Sequence, residues 1–90
     1  MGVSVEFEND RVRVLRAQHS GREQHPRASR RDRLVIYLND GSIRRTIHSE
    51  GSKKEEIHRK CGEVIWRDRS EHEIENLKDS RHEVIIVELK

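Results

Sequence analysis

His72 heads the segment HEIEN, residues 72–76, in which His72, Ile74 and Asn76 alternate with Glu73 and Glu75. Successive side chains on an extended backbone point to opposite faces, so this histidine shares a face with an isoleucine and is expected to look inward. An inward imidazole can ligate a metal, move a proton or donate a hydrogen bond, or it can be satisfied by Asn76 or by backbone groups. With Asp68 or Glu71 nearby it has the form of a base and its orienting group. A second cluster lies in HPRASRRDRLVIYLNDG, residues 25–41, where His25 precedes a run of arginines. Arginine keeps its charge in practice, so it repels cations and holds carboxylates or phosphates through its fork of donors. The other histidines, His19, His48, His58 and His82, are scattered without ligand spacing and read as surface residues. Tyr37 and Trp66 stand where an aromatic usually packs the core, with contact to a ligand as the alternative. No serine or cysteine sits at a nucleophile elbow, and there is no glycine-rich phosphate loop.

Strands must position these groups, because the apolar spacing is two throughout. Val3, Val5 and Phe7 alternate with polar residues, as do Val12 and Val14. LVIYL at 34–38 runs into Asn39-Asp40-Gly41, an Asp-Gly pair suited to positive φ, which predicts a hairpin returning along Ile43 to Ile47. Glu50-Gly51 reads as another turn, and SKKEEIHRK as an exposed edge strand blunted by lysines. Cys61-Gly62 turns the chain into EVIW, with Val64 and Trp66 on one face. Lys78-Asp79-Ser80 is a turn before HEVIIVEL, residues 82–89, whose continuous VIIV run predicts burial on both faces. No segment has the start, stripe and stop of a helix. The expectation is an all-β small barrel or double-sheet jelly roll in one domain spanning residues 1–90.

Charged residues make up 40% of the chain and hydrophobic ones 31%. Leu, Ile, Val and Phe number 22 of 90, above the roughly 20% below which chains tend to stay unfolded, and the net charge is only +2. The chain should therefore fold around a thin aliphatic core and gain by self-association. Nineteen basic residues against 17 acidic ones give no general affinity for polyanions. Arginines crowd one third of the chain (Arg11, Arg13, Arg16, Arg22, Arg27, Arg30, Arg31, Arg33), but no aromatic interleaves them, so a solvated face is expected and nucleic acid is not. Cys61 is the only cysteine, which excludes an intramolecular disulfide and suggests a small packing residue. MGVSVEFEND contains no apolar run, and Glu6 occupies the place of the Ser or Thr of a myristoylation site. A soluble cytoplasmic protein with no membrane partner is the expectation.

The succession HP…DRLVIYLNDG, KCGEVIWRDRSEHEIEN and EVIIVELK resembles the small single-domain cupins over nearly the whole chain. Their second motif is recognisable in Gly62, His72 and Asn76, with Asp68 and Ser70 where the family carries proline and a second glycine. Their first motif departs further. Counting back from Gly41, the family's metal-binding glutamate falls on Leu34, its second histidine on Arg30 and its first on Ala28. His25 lies where small cupins sometimes carry an extra histidine. The resemblance implies a double-stranded β-helix barrel and a homodimer pairing sheets through the terminal strands.

If Arg30 points inward as the family's histidine does, the cavity receives its positive charge from a side chain, with His72 as a second donor. An Arg30 turned to solvent would leave the cavity vestigial. The first expectation is thus a non-enzymatic binding module for an anionic small molecule, without a metal cofactor. Its candidate contacts are Arg30, His72, His25, Trp66 and Tyr37. The alternative is a metal-dependent cupin enzyme of oxygenase or isomerase type, its Mn, Fe, Zn or Ni held by His25 and His72 with Asp32 or Glu71. A structural or regulatory partner protein is a third possibility on which the sequence is silent.

Overall fold

A computed structural model describes residues 2–47 and 53–90, with the backbone alone for 26–28. The described residues form nine strands: β1 (Gly2–Glu8), β2 (Val12–His19), β3 (Gln24–Arg30), β4 (Arg33–Tyr37), β5 (Gly41–Ile47), β6 (Lys53–Arg59), β7 (Val64–Arg67), β8 (Ser70–Asn76) and β9 (His82–Leu89). They make a five-stranded sheet ordered β1-β2-β9-β4-β7 and a four-stranded sheet ordered β3-β8-β5-β6. All pairings are antiparallel. The all-β expectation holds. His48 and the Glu50-Gly51 turn lie outside the described residues.

Alternation decides which side chains enter the space between the sheets. Leu15, Ala17 and His19 on β2 face inward with Val84, Ile86 and His82 on β9, and Arg33, Val35 and Tyr37 on β4. The partners Ala17↔Val84 and Tyr37↔Val84 lie directly opposite each other, and Ala17, Val35, Tyr37 and Val84 form the core. The VIIV run belongs to the middle strand of its sheet. Its inward member Val84 is buried, while outward Ile85 and Val87 are only half-buried. β6 is an edge strand as expected, anchored by buried Ile57.

Asn39-Asp40-Gly41 corrects the hairpin expectation. β4 and β5 belong to different sheets, so this segment crosses between them. Gly41 is not among the positive-φ residues. Glycine is needed there for room, because a Cβ at 41 would collide with the imidazole of His82. Asn39 fixes the crossing: Nδ2 donates to the Arg81 carbonyl at 2.7 Å, and Oδ1 accepts from Glu83 N at 3.0 Å. Gly62, with φ of 90°, supplies the left-handed turn expected before β7. Cys61 does not pack there; it is exposed, with Sγ donating to the Leu38 carbonyl at 3.2 Å.

Among the described residues the interior buries six hydrophobic side chains and seven polar or charged ones. A core built only for stability would not carry that proportion.

Candidate functional site

The polar interior has two parts. His72 on β8 is 1% exposed, as the alternation of HEIEN predicts. Its Nδ1 shares a 2.9 Å hydrogen bond with the hydroxyl of Ser70, two residues earlier on the same face. Its Nε2 is buried with no hydrogen-bond partner among the described residues. Burial, and then the positive charges of Arg33, Arg30, Arg45 and Arg67, push this imidazole down to about 3, so it is neutral at physiological pH.

Those four guanidiniums line one cavity of about 100 Å³ together with His72. Arg33 is 5% exposed. Its Nη1 donates to the Arg31 carbonyl at 2.9 Å and more weakly to the Asp68 carbonyl at 3.4 Å. Burial and the neighbouring Arg45, Arg30 and Arg67 push it down to about 10, against attraction from Glu88. Glu88 itself is engaged by Arg13, whose Nε donates to Oε1 at 2.9 Å. Arg67 is likewise lowered by burial and by Arg45, and its Nη2 is buried without a hydrogen-bond partner. Arg45 has a carboxylate, Glu55, to which its Nε donates at 2.9 Å. Arg30 is half-buried and lines the same space, the inward of the two placements the sequence left open.

The second part is a group of imidazoles. His19, His25 and His82 are all buried, against the surface positions expected for His19 and His82. The rings of His19 and His25 meet edge to face at 4.1 Å, and those of His19 and His82 stack at 5.8 Å. His58 is exposed as expected. His25 Nε2 lies 3.1 Å from a Glu23 oxygen, within ion-pair range, but without hydrogen-bond alignment. The pKa of His25 is lowered, first by burial and against the pull of Glu23, which fits the misaligned contact. Burial pushes His19 down to about 4. His25 does not line the cavity. It pairs across the sheet with Ile74, while His72 pairs with Ala28.

Tyr37 is buried and lines the cavity. Trp66 corrects both readings offered for it. It is 48% exposed on the outer face of the five-stranded sheet, its Nε1 donating to Asp68 Oδ1 at 2.8 Å. Its neighbours Ile65 and Arg67 take the inward positions. Asn76 leaves His72 to Ser70 and holds the backbone instead. Its Nδ2 donates to the carbonyls of Ser20 and Ser80 at 3.0 Å each, and Oδ1 accepts from Lys78 N at 3.1 Å.

Sequence reasoning missed Arg33, Arg45, Arg67, His19 and His82. The signal was their phase: each stands two residues from an inward apolar residue, namely Val35, Ile43, Ile65, Ala17 and Val84.

No family model and no curated protein matches the chain. Solved structures do. A cupin domain from Bordetella pertussis Tohama I superposes with a TM-score of 0.82 at 21% identity, over 98% of this chain and 91% of that one. An RmlC-like cupin with a double-stranded β-helix fold from Methanocaldococcus jannaschii gives 0.72 at 16%, over 98% and 78%. A cupin superfamily protein from Desulfitobacterium hafniense DCB-2 gives 0.70 at 15%, over 97% and 74%. The fold is that of the cupins, a double-stranded β-helix, as the sequence motifs implied.

Cupins of the resembled type hold a transition metal, and the donor set here does not fit one. Among the described residues, no group of three or more His, Cys, Asp or Glu side chains is arranged to hold a metal ion. The alternative set is not assembled: His25 is off the cavity, and Asp32 Oδ1 accepts from Arg69 N at 2.6 Å. The groups around His72 are guanidiniums, which repel a cation.

Proposed function

We propose that the protein is a cupin-fold binding module whose interior takes a small anion. One observation carries this reading. Arg33 is buried with main-chain carbonyls as its hydrogen-bond acceptors, while Arg30, Arg67 and His72 face the same cavity. Like charges gathered out of water are costly unless a counter-charge joins them. An anion supplies it, and guanidinium forks suit a carboxylate or phosphate. The neutral His72 offers one more donor in its Nε2–H tautomer, the one in which the Ser70 hydroxyl donates to Nδ1.

Thermal melting in the presence of phosphate, sulfate and carboxylates, against chloride at equal ionic strength, is the test. The reading requires stabilisation by one of these anions that disappears in Arg30→Ala. A melting curve indifferent to every anion would overturn it. For the rival metal-dependent enzyme, near-stoichiometric Mn, Fe, Zn or Ni in protein purified without a histidine tag would replace the anion reading.

The partner we propose on the protein side is a second copy. A row of apolar side chains crosses all five strands on the outer face: Trp66 opposite Leu34, Leu34 opposite Val87, Val87 opposite Val14, and Val14 opposite Phe7. Trp66, Leu34 and Phe7 are 48%, 36% and 55% exposed. Five strands of four to eight residues, about 4.8 Å apart with about 3.3 Å per residue, offer roughly 500 Å², over half of the ~800 Å² each partner contributes to a standard interface. The rim carries both signs, as in Arg16–Glu6 and Lys90–Glu8, which suits self-pairing better than a polyanion. Light scattering should give a dimer that becomes monomeric in Leu34→Arg with unchanged circular dichroism; a monomeric wild type would end this proposal.

A further inference from the structure

The cavity has a charged wall and an apolar one. Arg30, Arg45 and His72 on β3, β5 and β8, with Arg33 and Arg67 on β4 and β7, make the first, whereas Leu15, Ala17, Val84 and Ile86 on the paired strands β2 and β9 make the second. A phosphate or sulfate would use the first wall and leave the second against oxygen atoms that gain nothing from it. The space, about 100 Å³, is small beside the roughly 300–1,000 Å³ of typical ligand pockets, which favours a small ligand.

Building on the anion reading above, we infer that the ligand is a short-chain aliphatic carboxylate. Its carboxylate lies on Arg30 and His72, with Arg33 and Arg67 completing the neutralisation. Its tail lies along Leu15, Ala17, Val84 and Ile86. Arg45 is already engaged by Glu55 and shapes the field more than it grips the head group. Tyr37 and His82 bound the same space with partly polar rims, which limits the length of a purely aliphatic tail.

The test is calorimetric titration of the full chain with the straight-chain acids from acetate to hexanoate, with inorganic phosphate and n-butanol as controls. Each methylene buried should tighten Kd about fourfold until the chain outgrows the cavity, after which affinity falls. Arg30→Gln should abolish carboxylate binding, and Ile86→Ala should move the optimum to a longer acid. Leu15→Ala serves the same purpose if Ile86→Ala fails to fold. Binding of phosphate with no chain-length dependence among the acids would overturn this inference and leave the anion reading standing. Butanol binding as tightly as butanoate, or no binding at all, would overturn both. An optimum that stays put in both wall variants would remove the tail from this wall and sink the inference.

Discussion

Two polar regions lie inside this barrel, and the cost of keeping them there differs. Around His72, guanidiniums are gathered with Glu88 and Glu55 already engaged by Arg13 and Arg45. Around His19, three imidazoles pack as rings, edge to face and stacked, at 4.1 and 5.8 Å. A guanidinium cannot shed its charge, whereas an imidazole can, so the second region escapes its desolvation cost by staying neutral. The arginine region needs something from outside. The imidazole region needs only that the solution not be acidic.

Acidification should therefore have the largest effect. The folded-state values of His19 and His72 fall from 6.5 to about 4 and about 3, and those of His25 and His82 are also lowered. A lowered histidine means that the unfolded chain takes up protons first, so stability is complete above pH 6.5 and declines as pH falls toward 4. The loss should exceed about 3 kcal/mol across that interval, measured by urea denaturation at a series of pH values. The lowered carboxylates Glu8, Glu23 and Glu83 act in the same direction, but below their ordinary 4.5. A flat profile between pH 6.5 and 5 would contradict the buried neutral imidazoles.

Next in size is Gly41→Ala, which forces a methyl group into the His82 ring. It should cost about 2 kcal/mol, and much of that cost should vanish in a His82→Ala background, a coupling that a double-mutant cycle reads directly. Equal costs in both backgrounds would mean that the glycine serves the backbone and leave His82 irrelevant to it.

The smallest effect has the opposite sign. Arg33→Met removes a buried charge while keeping much of the side chain's volume, and should raise the stability of the ligand-free protein by about 1 kcal/mol. The same variant should lose stabilisation by anions. Destabilisation instead would show that Glu88 and the two carbonyls already satisfy the guanidinium.

Much of the architecture could be read from period-two alternation. It located the strands and placed His72 inside, while the cupin-like spacing left Arg30 open between cavity and solvent. It failed where one signal had two meanings. Asp40-Gly41 has the composition of a hairpin turn, but the glycine answers to an imidazole 41 positions away in sequence, which no local pattern records. Trp66 looked like core by type, yet it alternates with the inward Ile65 and Arg67, and phase prevailed. His19 and His82 were read by type as well, since histidine usually sits outside; their phase with Ala17 and Val84 pointed in. The arginines at 33, 45 and 67 followed the same rule, and a polar residue in phase with a core is the more informative sign.

The position of β9 has a consequence for how the chain assembles. It is the last described strand in sequence and the middle one of its sheet, paired to β2 on one side and β4 on the other. A contact such as Arg13 to Glu88 spans 75 positions. During synthesis the β1–β2 ribbon must wait with one bare edge until residues 82–89 have emerged, so folding should be slow and the growing chain most prone to aggregate just before that strand appears.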